Sequence, residues 1–487
     1  METPISRRSF LKTAAVAGAA GGMFPYVGKS SAAARPNVLF IAVDDLRPQL
    51  GCYGHQFMQS PNIDSLGSSG TVFSRAYCQV PVCGASRASL MSGIRPTRHR
   101  FVDYYAHIDE DLPGGETLPH LFRTNGYHTV SNGKIYHYPA DDPDGWSEKP
   151  WRPRGSWVGR GYIDPDNQAM ARQTDFGGRG PSWEAPDVPD NTYMDGLIAE
   201  KTIADLNRLN NQEQPFFLAT GFMKPHLPFN APKRYWDRYR RDNIDLADNP
   251  FRPKGAPDSA MHNWVELRNY VGIPPEGPLT EEMTRTLVHG YYACVSYVDA
   301  QIGKVIAELD RLGLRDSTIV VLWGDHGWSL GEHGLWCKHC NFETALHSPL
   351  IVRAPGYAPG ETQALVEFVD IFPSLCEHAG LSVPDQLQGL SFVPLMENPR
   401  RNWKTAAFSR YFDGDSVRTD RYRYTEWRRE NLVPGLAYAT EEYSRMLYDH
   451  SVDPGENVNV AEDSANASVV ERLSAVIENG WKAALPG

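Results

Sequence analysis

Four short apolar runs in this chain end in the same way, and that shared ending restricts the fold more than any other feature. "NVLFIAVDD" stops at Asp44 and Asp45, "YHTVSNGKIYH" at Lys134 and His137, "PFFLATGFMKPH" at Lys224 and His226, and "STIVVLWGDHG" at Asp325 and His326. Unbroken apolar runs of this length predict strands buried on both faces. Helix-like stretches lie between them: "PNIDSLGSSG", "GETLPHLFRTNG" and the amphipathic "YYACVSYVDAQIGKVIAELDRLG", which closes on glycine as a helix end should. Strand alternating with helix predicts an α/β fold with a large, mainly parallel central sheet flanked by helices. In such sheets ligands bind beyond the carboxyl ends of the strands. The charged residues that end the four runs are therefore expected to converge.

The pattern changes near residue 405, which gives an expected main domain over residues 35–405. "SVRTDRYRYTEWR" (Ser416–Arg428) alternates as one half-exposed antiparallel strand, "RMLYDHSVDPGENVN" reads as a strand entering a turn, and a closing helix begins near Ala467. These predict a smaller C-terminal α+β subdomain with an antiparallel sheet, residues 406–487. Residues 1–34 stand apart. "SRRSFLK" (Ser6–Lys12), the small apolar run "TAAVAGAAGGMF" and "SAAAR" have the order of a twin-arginine (Tat) signal cleaved near Ala34. The run is too short and too weakly apolar for a stable membrane span. The expected partner is the Tat export machinery and the expected location periplasmic or secreted. Net charge is −11, and losing Arg7, Arg8, Lys12 and Lys29 with Glu2 leaves about −14. That balance excludes a nucleic-acid surface or an anionic-membrane surface. An anionic small substrate then needs a local cluster of positive charge.

Asp44–Asp45 and Asp325–His326 offer hard oxygen ligands and one imidazole, a set that suits Ca²⁺ or Mg²⁺ over soft-ligand metals. Lys134, Lys224, Lys338 and Arg87, with His137, His226 and His326, supply cations able to hold an oxyanion. Cys83, in "VPVCGASRASLMSG", sits in a run too small and polar for ordinary core. A phosphatase-type thiolate loop would need arginine six positions on, where Ser89 stands, and the papain-type surroundings are missing. A structural buried cysteine also fits. The chain has seven cysteines, an odd count that leaves at least one unpaired or specialised. "CKHC" (Cys337, Cys340) lacks the second pair a zinc site needs, and either a disulfide or two thiols fits it.

"CGASRASLMSGIRP" resembles the signature of the formylglycine-dependent (type I) sulfatases, with Ala85 where proline is commoner. "NVLFIAVDDLRPQLGCYG", "SPNID", "NGYHTVSNGKIYH", "MKPHLPF", "GDHGWSLGEHGLWCKHCNFETALHSPLIV" and "LYDHSVDPGENVN" follow in that family's order. Asp-His at 325–326, the "GKIYH" spacing and "KPHLPF" resemble the iduronate-2-sulfatases and their bacterial relatives, whereas "RHRFVDYYAHI" (Arg98–Ile108), expected at the substrate pocket, matches less well. The resemblance implies an alkaline-phosphatase-like sandwich and conversion of Cys83 to Cα-formylglycine by a formylglycine-generating maturase. It implies one Ca²⁺, rather than Mg²⁺, on Asp44, Asp45, Asp325, His326 and residue 83. A hydrate oxygen of residue 83 would attack sulfur, His226 with Lys338 would serve the leaving oxygen, Lys134 and Arg87 would hold charge, and His137 would take a proton in the release of sulfate. The implied substrate is a sulfated carbohydrate such as a 2-O-sulfated uronate. The alternatives are a sulfatase for another polysaccharide and a single-metal phosphodiesterase or phosphonate monoester hydrolase of the same superfamily. A non-enzymatic glycan-binding protein is disfavoured because every expected catalytic position holds a competent residue. Trp328 and His333 fit equally a substrate face and packing beneath the loop.

Overall fold

Val38, Phe40 and Ala42 face one side of the first strand and Leu39, Ile41 and Val43 the other, and both sets are fully buried. A strand with no polar face must lie inside a sheet covered on both sides. The computed structural model describes residues 35–486 apart from 154–159, 174–177 and 429–442, so the export signal lies outside the described residues. Seven strands form the central sheet: β1 (Asn37–Val43), β2 (Thr71–Tyr77), β3 (His128–Gly133), β4 (Phe216–Phe222), β5 (Thr318–Gly324), β6 (Leu350–Arg353) and β7 (Gly360–Glu367). Their order is β7-β2-β6-β5-β1-β4-β3. Only β6 runs against its neighbours β2 and β5, so the sheet is mainly parallel, as expected.

Helices cover both faces. α1 (Pro61–Ser69), α4 (Met194–Leu209) and α5 (Glu281–Arg311) pack on the side of Leu39, whereas α2 (Cys83–Ser92), α3 (Leu118–Thr124) and α6 (Ile371–His378) pack on the side of Val38. α5 starts where the Thr280 side chain accepts a hydrogen bond from Met283 N, an N-cap followed by two acidic residues. It buries one long stripe from Thr286 to Leu309. Each large apolar side chain so buried contributes roughly 1.5–3 kcal/mol.

The C-terminal part carries a four-stranded antiparallel sheet, β8 (Ala407–Tyr411), β9 (Gly414–Arg418), β10 (Tyr422–Arg428) and β11 (Tyr443–Asp449), in sequential order. α7 (Ala467–Asn479) covers it through Val470 and Leu473 against Val417, Tyr424 and Leu447. Here one expectation is corrected. Ser416–Arg428 is two strands joined at Thr419–Arg421, where Thr419 N donates to Tyr422 O at 2.8 Å. The second of these strands is largely buried, not half-exposed. Sequence polarity misled because Arg423 and Glu426 are buried; Arg423 is ion-paired to Glu343 and Glu456 beneath the sheet.

Candidate active site

The strand ends do converge. Asp44 and Asp45 follow β1, Lys134 follows β3, His226 lies just beyond β4, and Asp325 and His326 follow β5. Cys83 opens α2 after the loop that leaves β2. Lys338 follows the short strand Trp336–Cys337, which pairs with Ser329–Leu330 after β5. β3 and β4 approach one another closely here, because a Cβ on Gly221 would collide with the Lys134 carbonyl and one on Gly133 with that of Gly221.

Arg87, one turn into α2, organises the floor. It is fully buried; its Nε donates to Asp325 Oδ2 at 2.9 Å, one Nη to Asp44 Oδ1 at 3.2 Å, and the other to the carbonyls of Lys134 and Ile135. Lys134 Nζ reaches the other Asp44 oxygen at 2.5 Å. Asp45 N donates to Asp325 Oδ1 at 2.9 Å. Asp45 itself takes a left-handed backbone, φ 61°, held by Tyr291 of α5, whose hydroxyl donates to Asp45 O at 2.9 Å. Cys83 Sγ lies 3.3 Å from His326 Nε2 and 3.8 Å from Asp45 Oδ1. Lys338 Nζ is 3.1 Å from both Asp45 carboxylate oxygens, over the Trp328 ring.

Burial and charge set the protonation states. Burial alone would raise Asp44, but Lys134, His226 and Arg87 outweigh it and hold that carboxyl well below its ordinary value. Burial pushes Asp45 up to about 7, with Lys338 pulling against it and Asp44 adding to it. The Cys83 thiol is pushed well above its ordinary value by burial and by Asp44, against Lys134 and Lys338. A nucleophilic thiolate needs the opposite shift. Burial and Lys134 hold His137 well below its ordinary value, so it is neutral.

His137 sits at the rim, its Nδ1 buried without a hydrogen-bond partner among the described residues. Lys224 is not part of the constellation: its Nζ donates to the carbonyls of His226 and Pro228 and so shapes the loop. Trp328 is buried beneath Lys338, and His333 is buried with Nε2 at 2.9 Å from Gly455 O, so both pack under the loop. Cys337 and Cys340 are separate buried thiols. The segment Arg98–Ile108 meets the site where the Tyr104 backbone leaves no room for a Cβ on Gly84, and Tyr104 and Tyr105 remain exposed there with ring centroids 4.1 Å apart. Sequence reasoning missed Glu266. Its carboxylate lies 2.9 Å from Lys338 Nζ and 3.0 Å from His226 Nε2; burial would raise it, but the Lys338 charge and the contact with His226 hold it well below its ordinary value.

The donor set fits a hard divalent cation. Ligand atoms of Asp44, Asp45, Cys83 and His226 lie within 4.8 Å of one another, as do those of Cys83, Asp325 and His326. A cation there would offset the burial that, with Asp44 adding to it, drives Asp45 toward protonation.

The family model described as Sulfatase matches residues 36–381, that of the N-sulphoglucosamine sulphohydrolase C-terminal region matches 331–482, and the twin-arginine translocation signal matches 4–24. The iduronate 2-sulfatase of Homo sapiens is 33% identical, covering 90% of this chain and 93% of its own. A sulfatase of Formosa agariphila is 31% identical over 91% of this chain and 86% of its own. Among solved structures, one in complex with its substrate D-glucosamine-2-N,6-O-disulfate superposes with a TM-score of 0.72 at 22% identity, covering 91% of this chain and 97% of that one. The phosphonate monoester hydrolase of Agrobacterium radiobacter does so with a TM-score of 0.74 at 24% identity, covering 91% and 95%.

Proposed function

This chain belongs to the sulfatase family, and on that premise we propose that it hydrolyses sulfate esters of a carbohydrate such as a 2-O-sulfated uronate, with Cys83 converted to Cα-formylglycine and one Ca²⁺ on Asp44, Asp45, Asp325, His326 and residue 83. The chain carries a twin-arginine signal and no helix among its described residues is long and apolar enough to cross a membrane; it is an exported, periplasmic or secreted protein. A formylglycine-generating maturase is then a required partner.

The observation that carries this reading is the environment of Cys83. Its thiol is 3% exposed, set against a carboxylate and an imidazole, and shifted away from the thiolate. Left as cysteine, it is a poor nucleophile. An aldehyde hydrate at that position would supply two hydroxyl groups, one to attack sulfur and one whose loss of a proton expels sulfate from the first and restores the aldehyde. Ca²⁺ supplies charge neutralisation at the sulfate oxygens and favours ionisation of the hydroxyl beside it.

The chain's own residues do the rest. Arg87 fixes Asp44 and Asp325, and Lys134 adds positive charge on the far side of Asp44. His226 and Lys338 stand together, to protonate and stabilise the departing sugar oxygen between them. Neutral His137 accepts a proton at the rim. Support for the uronate is the likeness to iduronate 2-sulfatase across nearly the whole chain.

The test combines peptide mass spectrometry with sulfate release from a 2-O-sulfated uronate disaccharide, alongside aryl sulfate and aryl phosphonate esters. Conversion of Cys83 and release from the disaccharide are expected, with Cys83→Ala inactive and folded. Active protein with an unmodified cysteine would sink the aldehyde chemistry. Preference for the phosphonate ester would place the chain with the alternative hydrolases.

A further inference from the structure

We propose that Glu266 is a positioning residue for departure of the sugar oxygen, acting through His226 and Lys338. The inference rests on the sulfate-ester reading above. Glu266 comes from the single helical turn Val265–Arg268, far along the chain from the strand ends. The turn is entered through Trp264, which adopts a left-handed backbone, φ 46°, under the Arg268 guanidinium, 3.4 Å from its ring centroid. This arrangement carries an acid inward, and its carboxylate is the bridge between the two groups assigned to the leaving oxygen.

The contacts are specific. Lys338 Nζ lies between two carboxylates, Asp45 at 3.1 Å and Glu266 at 2.9 Å. His226 is held at both ring nitrogens, with Nδ1 2.7 Å from Leu227 O and Nε2 3.0 Å from Glu266 Oε1. A ring fixed at both ends cannot turn or flip, and an ammonium shared by two acids cannot collapse onto one. As the sulfur–oxygen bond to the sugar breaks, the departing oxygen keeps the bonding pair and takes a proton from the His226–Lys338 pair; with Nδ1 donating to Leu227 O, that proton sits on His226 Nε2 in the imidazolium and otherwise comes from the Lys338 ammonium. Glu266 touches neither atom of that bond; it sets where the donor and the ammonium stand. Without its charge, the ammonium has Asp45 as its remaining carboxylate in this site and is drawn toward it.

A role of this kind depends on the leaving group. An alkoxide from a sugar needs the proton, whereas 4-nitrophenolate leaves without one. In Glu266→Gln, kcat for the sulfated disaccharide should fall about 10- to 100-fold with KM within about twofold. For 4-nitrophenyl sulfate, kcat should stay within about threefold of wild type. Glu266→Asp, which keeps the charge on a shorter stem, should recover part of the disaccharide rate. Cys83 conversion and the melting temperature are read on every variant, and if Glu266→Gln does not fold, Glu266→Asp carries the same two-substrate comparison. Equal loss on both substrates, or an unchanged disaccharide rate, overturns the proposal. A wild-type enzyme that turns over neither sulfate ester overturns the function itself, and this inference with it, before any variant is made.

Discussion

Arg87 shows how far one side chain can be committed. Its guanidinium is fully enclosed and touches two carboxylates and two main-chain carbonyls. Lysine has one compact charge and no fork, so it cannot bridge Asp44 and Asp325. Arg87→Lys is expected to cost about 3–5 kcal/mol, because it leaves a buried carboxylate uncompensated. Urea unfolding measures this, and a loss below about 1 kcal/mol would show that the site repacks. Asp44, Asp45, Lys134, His226, Asp325 and His326 were legible in the sequence because each lies at or just beyond a strand end, and the strands are unmistakable. Glu266 was not legible. It lies on a four-residue turn with no motif around it, and its partner Lys338 is 72 residues away. Lys224 was misleading for the opposite reason, since a strand-end lysine can spend its charge on its own loop.

Among elements, β7 and β8 are joined by a buried clasp. Glu367 at the end of β7 accepts from Arg95 at 2.6 and 2.7 Å, from Lys404 at 2.7 Å and from Phe408 N of β8 at 2.8 Å. Burial would raise this carboxyl, but Arg95 and Lys404 prevail and bring it from 4.5 to about 2. A depressed folded-state value gives stability that is present above the ordinary value and lost as pH falls through the folded one. The clasp should therefore weaken between about pH 4.5 and 2, by on the order of 3 kcal/mol. In Glu367→Gln that part of the acid dependence should disappear, as pH-resolved denaturant titration would show; identical slopes would refute it. The sheet was legible in the sequence because strands without a polar face announce themselves. The hairpin at Thr419–Arg421 was missed because buried, ion-paired Arg423 and Glu426 read as solvent-facing positions.

For the molecule as a whole, the Ca²⁺ proposed at the acidic centre would couple ion binding to stability. Anything held by the folded site and not by the unfolded chain stabilises by mass action, about 2.7 kcal/mol at a hundred times its Kd. Added Ca²⁺ should raise the melting temperature of the folded protein, chelation should lower it, and Asp45→Asn should abolish the difference. Mg²⁺ matching Ca²⁺ in this assay would overturn the assignment of the ion. The depth of Cys83 carries a consequence in time. A side chain 3% exposed, at the start of a helix packed against the central sheet, is closed to any modifying enzyme once the chain has folded. A twin-arginine signal is one read on folded cargo. On the formylglycine reading proposed above, conversion would come first, folding second and export third, all but the last step inside the cell. On that reading a chain that folds before conversion would be an inert protein. Inducing the maturase only after the protein has accumulated should yield exported enzyme with an unconverted Cys83, whereas inducing it beforehand should yield active enzyme; full conversion in both cases would show that the closed site opens.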